Sequence, residues 1–335
     1  MNDISHTAST SFFPNNPDLT GMVFSYHFDA NGRKVDDPAA AKWTWRSYLA
    51  TDIRTRVTIE RGSGLPGPVR ESLMASGYAC HIDLNHDWLH GDLPDLRHDY
   101  SAEARGLGHF RFALDDRMLI DCRKQPLRSV DNVRKMVEAG SRPFRTPVEL
   151  LEAIIGQSLD GLSGDLAKIG EQLDEIEERI VGESWHGERQ ALNEARRRLV
   201  LIHRQMSSVA GLFRHVEHQH HEDLPPPIAD MAARLSKRSM LLHHDGEQLQ
   251  AQARLMQDEL MAKIADQSNQ LLYFLSLLTA VLLPMTIISG LFGMNVGGIP
   301  LTEHPDGFWI VSVIATGIAV LVLLVLKRRT GGGRP

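Results

Sequence analysis

The sequence predicts an α+β membrane protein: a cytoplasmic α/β domain, a long helical stalk, and two C-terminal transmembrane helices. Three observations carry this. Two uncharged apolar runs, residues 271–292 and 308–326, stand near the C-terminus. Each matches the roughly 20 apolar residues that a helix needs to cross a hydrocarbon core of about 30 Å. Between Ile228 and the first run, apolar or small residues recur at steps of three, four and seven, the spacing of a helix with one apolar seam. Before residue 145, several segments alternate apolar and polar side chains, as half-buried strands do.

Residues 1–20 read as a flexible polar tail rich in Ser, Asn and Pro, without the basic-then-apolar order of a signal peptide. Residues 21–145 read as the α/β domain. Strands are expected at Met22-Val-Phe-Ser-Tyr-His-Phe, at Phe110-Arg-Phe-Ala-Leu and, after a turn at Asp115-Asp116, at Arg117-Met-Leu-Ile-Asp-Cys. Short helices are expected from Pro68 to a terminal Gly77 and from Ser129 to a terminal Gly140. Residues 146–270 read as the helical stalk. Thr146 is placed to cap a helix, with Pro147 in its first turn and Glu149 three residues on. That helix should reach about Gly182, and a second should run from Glu188 to His221, where Leu224-Pro-Pro-Pro227 breaks it.

From Ile228 the simplest reading is one continuous helix to Gly293, about 100 Å long at 1.5 Å per residue. Its seam lies at residues 228, 232, 235, 239, 242, 249, 253, 256, 260, 264, 271 and 274, weakened by Gly246 and Gln267. Such a helix needs partners, so an oligomer with stalks side by side is expected.

The bulk numbers narrow the function. Thirty-six Lys and Arg against 42 Asp and Glu give a net charge of −6, not the basic surface that nucleic acid demands. Two cysteines, Cys80 and Cys122, imply no disulfide framework and fit a reducing compartment. Lys327, Arg328 and Arg329 open the basic tail, 327–335, whereas the loop 293–307 has neither Lys nor Arg. The positive-inside rule then puts both termini in the cytoplasm and the loop outside. His-Glu-x-x-His, P-loop and Gly-x-Ser-x-Gly patterns are all missing, so an enzyme or an ATP-driven pump is not indicated.

Within the first run, Ser276, Thr279, Leu283, Thr286 and Gly290 fall on one arc of about 80°, at 100° per residue. Asn269 and Leu272 extend the stripe toward the cytoplasm. Two readings stand. Small residues let helices pack closely and hydroxyls can bond their own backbone. Alternatively the stripe is a pore wall, without a carboxylate, past which a cation keeps much of its water; Leu272 and Leu283 would then form apolar constrictions. Pro284 leaves the Ala280 carbonyl without its helical donor. Tyr273 and Trp309 fit interfacial aromatic belts.

The Gly293-Met294-Asn295 loop motif, with Pro284-Met-Thr inside the first span and a two-span C-terminus, resembles the CorA-type metal ion transporter superfamily. The continuation Val296-Gly297-Gly298-Ile299-Pro300 is similar to its ZntB-like zinc transporter branch; the magnesium channels instead carry an aromatic residue and Met-Pro-Glu there. The resemblance implies a homopentamer with a cytoplasmic funnel, in the cytoplasmic (inner) membrane, its pore lined by the first span. It implies Asn295 as the pore-mouth ring beside Gly293 and Met294, Thr286 and Gly290 as wall, Leu272, Leu275 and Leu283 as apolar gates, and Asn269 as the inner polar ring. It implies no cofactor, and zinc uptake coupled to protons, with magnesium, cobalt or nickel as the alternative cargo. The partners expected are lipid, the cation and further copies of the chain.

Some residues keep two readings each. Glu303 and Asp306 concentrate cations by their field or are ordinary loop charges. His304 offers a zinc-suited imidazole or is an ordinary loop side chain. His215, His218, His220, His221 and Glu222 form a cytoplasmic metal site or a hydrophilic helix end, with His243 and His244 on the next helix. The acidic residues 171–178 are a solvated face or attract cations. A membrane-anchored sensor that conducts nothing is the remaining alternative to a transporter.

Overall fold

The computed structural model describes residues 21–61, 64–77, 80–85, 87–96, 107–182, 187–219, 224–294, 297–301 and 304–330. They divide into two compact units, Met1–Leu255 and Met256–Pro335.

The first unit opens with a seven-stranded sheet. Its strands are β1 Met22–Phe28, β2 Lys34–Val35, β3 Trp43–Leu49, β4 His81–Asn85, β5 Trp88–Leu96, β6 Leu107–Leu114 and β7 Met118–Arg123. Their order is β2-β1-β3-β7-β6-β5-β4. Every pairing is antiparallel except β3 with β7. A parallel pair needs a long crossover, and here the crossover holds α1 Ile53–Arg61, α2 Gly67–Met74 and three further strands. The expected strands at 22–28, 110–114 and 117–122 all form within this sheet. The Asp115-Asp116 turn forms as well: Asp115 Oδ1 accepts from the Arg117 and Met118 amides at 2.9 and 2.7 Å.

Strand alternation sends two sets of side chains to opposite faces. Tyr48, Ala113, Ile120 and Cys122 pack with Ile59 of α1 and Val69 and Leu73 of α2. Trp43, Trp45, Phe110, Phe112 and Leu119 are buried on the other face, where α3 Arg128–Glu138 and α4 Pro147–Val181 lie. The expected helix at 129–139 is α3, closed by Gly140 at φ 60°, a left-handed position that glycine takes without a Cβ penalty. The helix at 68–76 is shorter than expected. It stops at Met74, with Ala75 extended at ψ 138°; Gly77 instead gives its carbonyl to the Arg111 guanidinium at 2.9 Å.

Three helices follow. Thr146 caps α4 by accepting the Glu149 amide at 3.2 Å, and the Glu149 carboxylate accepts the Arg145 amide at 2.8 Å. α5 is Glu188–Gln219 and α6 is Pro226–Phe292. Successive contacts make α4 and α6 parallel: Glu152 with Arg234, Asp160 with Arg238, and Asp174 and Glu177 with Gln252. The acidic residues 171, 174, 175, 177 and 178 are exposed while Leu173 and Ile176 are buried, so that run is a solvated face.

α6 is the expected uninterrupted helix. Its seam residues Ile228, Ala232, Leu235, Ser239, Leu242, Ala253, Met256 and Leu260 are all buried within one chain. The sequence reading assigned this seam to neighbouring copies; α4 and α5 fill it instead over the first unit. Gly246 lies 3.9 Å, from an added Cβ, to Met206 of α5 and 4.0 Å to Leu166 of α4.

In the second unit, α6 runs to Phe292 and α7 is Gly307–Thr330. α7 continues past 326, the end expected for the span, and takes Lys327, Arg328 and Arg329 into its last turn. Cations are favourable at that end of a helix dipole.

Candidate functional site

The C-terminal part of α6 carries the polar stripe. A regular helix through all of it places Asn269, Leu272, Ser276, Thr279, Leu283, Thr286 and Gly290 within about 100°. Their span along the axis is about 30 Å at 1.5 Å per residue, the thickness of the hydrocarbon core. Leu275 lies just beyond the edge of this arc. All eight residues are exposed in the single chain, Leu272, Leu275 and Leu283 by more than half. Two helices are long and apolar enough to cross a membrane, within Pro226–Phe292 and at Gly307–Val325. The apolar window of the first is entirely unburied and that of the second nearly so. Such continuous exposed apolar surface requires lipid or a partner.

The threonine hydroxyls are bonded within the helix. Thr279 Oγ1 donates to the Leu275 carbonyl and Thr286 Oγ1 to the Leu283 carbonyl, both at 2.9 Å. Each hydroxyl proton is thereby committed, and the oxygen lone pairs remain to accept from a neighbour or a hydrated ion. Helix α6 runs through Pro284 without a break.

The loop is tied at both ends. Gly293 N–H bonds the Ser289 carbonyl at 2.9 Å and Met294 N–H the Leu291 carbonyl at 3.4 Å. At the far end a Cβ on Gly307 would stand 2.2 Å from the Leu301 carbonyl oxygen, so only glycine fits that approach. His304 Nδ1 accepts the Asp306 amide at 3.2 Å, which leaves Nε2 as its free nitrogen. His304 and Asp306 are exposed. Asn295 and Glu303 lie outside the described residues.

The histidine-rich segment is only partly described. His215 is exposed on α5. The side chain of His218, and His220, His221 and Glu222, lie outside the described residues. Among the described residues, the metal-capable groups that come together are His203 with His243 and Glu247, and His81 with Asp83 and His90. Sequence alone points to His243 beside the histidine-rich segment but to neither grouping. His243 and Glu247 are visible as an i, i+4 pair on a helix, but their partner is 40 residues away on another helix.

A family model described as CorA-like Mg2+ transporter protein matches residues 40–328. The chain belongs to this family. Among its relatives, the zinc transport protein ZntB of Yersinia enterocolitica is 26% identical over 318 residues, covering 92% of this chain and 93% of the relative. The divalent cation transporter CmaX of Pseudomonas aeruginosa is 25% identical over 272 residues, covering 78% and 82%. The full-length CmaX structure matches with a TM-score of 0.77 at 23% identity, over 93% of this chain and 98% of that one. The CorA magnesium transporter of Methanocaldococcus jannaschii matches at 0.73 and 15%, over 91% and 98%. The fold is CorA-like: a soluble α/β part, a long helix and two candidate membrane helices. The CorA-like activity is divalent cation transport, and these relatives are ion transporters rather than enzymes.

Proposed function

We propose that the protein takes up zinc across the cytoplasmic membrane through a pore formed by five copies, with a ring of Asn295 at its outer mouth and coupling to protons. The polar stripe on α6 is the observation that carries this reading. Seven positions on one side of an otherwise apolar helix offer hydroxyls, an amide, small surfaces and two leucines over about the depth of a bilayer. Lipid has no use for such a stripe; water and a hydrated cation do. The stripe holds no carboxylate, so the ion passes with its water, and Leu272, Leu275 and Leu283 close the path by dewetting. Lys and Arg after the second span, against a loop with neither, put both termini in the cytoplasm. Zinc is favoured by the Val296-Gly297-Gly298-Ile299-Pro300 continuation and by the ZntB relatives. A magnesium, cobalt or nickel channel is the second reading: the polar wall atoms are oxygens and an amide, which suit a hydrated hard cation equally well.

Zinc uptake into proteoliposomes, wild type against Asn295→Ala with and without an imposed proton gradient, tests this. Uptake should rise with an inward proton gradient, and the variant should lose about tenfold or more, the worth of one lost polar contact near 1.4 kcal/mol. Uptake indifferent to protons and outcompeted by magnesium supports the second reading. No uptake of any divalent ion leaves a non-conducting sensor.

A further inference from the structure

α5 and α6 run antiparallel in the first unit. Gln250 Nε2 donates to the Leu199 carbonyl at 3.4 Å, and Met206 faces Gly246. Close to these contacts one histidine from each helix meets the other. The rings of His203 and His243 lie 4.6 Å apart with planes 20° from parallel. Glu247 stands one turn beyond His243, its Oε1 3.6 Å from His243 Nε2. One ligand atom from each of the three lies within 4.8 Å of the other two. Nδ1 of His203 and Nδ1 of His243 are both buried without a hydrogen-bond partner.

We propose that His203, His243 and Glu247 form a binding site for a zinc-class divalent cation, pinning α5 to α6. Two imidazoles and one carboxylate are a borderline donor set, which suits zinc, cobalt or nickel and not magnesium. The i, i+4 pair puts two ligands on one helix face, and the third comes from the helix packed against it. Three protein ligands leave a fourth tetrahedral position for water, and Glu247 is exposed, so the ion enters from solvent. Metal–ligand bonds of about 2.1 Å place tetrahedral donors roughly 3.4 Å apart. The three donors therefore close by an ångström or so, a side-chain adjustment. This site is independent of the pore reading. It bears on the same helix, because α6 is unbroken from Pro226 to Phe292.

Cobalt alone, titrated into the full-length chain in detergent, tests it. Tetrahedral cobalt on nitrogen and carboxylate ligands absorbs strongly in the visible range, whereas hydrated octahedral cobalt in a pore absorbs weakly. The expected result is one intense band per chain, displaced by zinc and not by excess magnesium. His243→Gln and Glu247→Gln should each weaken it at least tenfold, while His215→Gln and Asn295→Ala keep it. Glu247→Gln changes an exposed side chain, so a metal-free melting curve matching wild type shows that its loss of the band is not unfolding. No intense band, a band that survives both His243→Gln and Glu247→Gln, or one abolished by His215→Gln overturns the proposal. A wild-type chain that shows the band yet transports no zinc would count against the pore reading alone.

Discussion

Asp121 is a residue whose ionisation the fold disturbs through burial. It is fully buried on β7, where Trp45 Nε1 and Ser47 Oγ each donate to it at 2.7 Å. Burial raises its pKa from 3.8 to about 6, opposed by Arg123 and by the two donors. A carboxyl with a raised folded pKa favours the folded state while it is protonated. That stability is fully present below pH 3.8 and is lost as pH rises through about 6. At roughly 1.4 kcal/mol per pKa unit, the loss is on the order of 3 kcal/mol. Asp121→Asn carries no charge to bury. The stability of wild type relative to this variant should therefore fall between pH 4 and pH 7, read by tryptophan fluorescence during urea unfolding of the full-length chain. Parallel curves across that window would mean that Arg123 neutralises the carboxylate fully. Local signals were legible here: the Thr146 cap and the Asp115 turn need only neighbouring residues. The burial of Asp121 was not, because its donors come from β3, 74 and 76 residues away, through the sheet's one parallel pairing.

At the scale of elements, α6 shows what periodicity conveys and what it omits. Its heptad spacing located one long helix and the face that is buried. It could not say what covers that face, because a seam filled by α4 and α5 has the same spacing as one filled by another copy. Gly246, a weakness of the seam by its sequence, is a place where α4 and α5 both reach α6. The space there is enough for one methyl: an added Cβ meets Met206 and Leu166 at ordinary contact distances of 3.9 and 4.0 Å. Glycine inside a helix costs about 0.8–1 kcal/mol relative to alanine. Gly246→Ala should therefore raise the melting temperature of the full-length chain, and Gly246→Leu, which overfills the site, should lower it. A lower melting temperature for the alanine variant would show that the helices have no room to spare. The His203–His243 meeting was illegible for the same reason as the seam's filling: the pattern along one helix does not name its neighbour.

At the scale of the whole molecule, the question is which surfaces face lipid and which face water. Both candidate spans are apolar and exposed in one chain, and the stripe on α6 is the feature that distinguishes them. If five copies surround an aqueous path, a cysteine at Thr279 faces water, whereas one at Val313 on α7, 69% exposed and apolar around it, faces lipid. Thiolate, not thiol, reacts, so a charged thiol reagent should label Thr279→Cys faster than Val313→Cys by tenfold or more, about 1.4 kcal/mol in barrier. The native background is small. Cys122 is buried and its thiol is pushed up to about 12 by that burial; half-buried Cys80, also raised by burial, is removed as serine. Labelling at Thr279 should also slow when a large impermeant cation occupies the mouth, because the reagent then shares its route with the ion. Equal rates at the two positions would make the stripe a packing surface between helices, with Thr279 and Thr286 bonded to their own backbone and facing nothing that conducts.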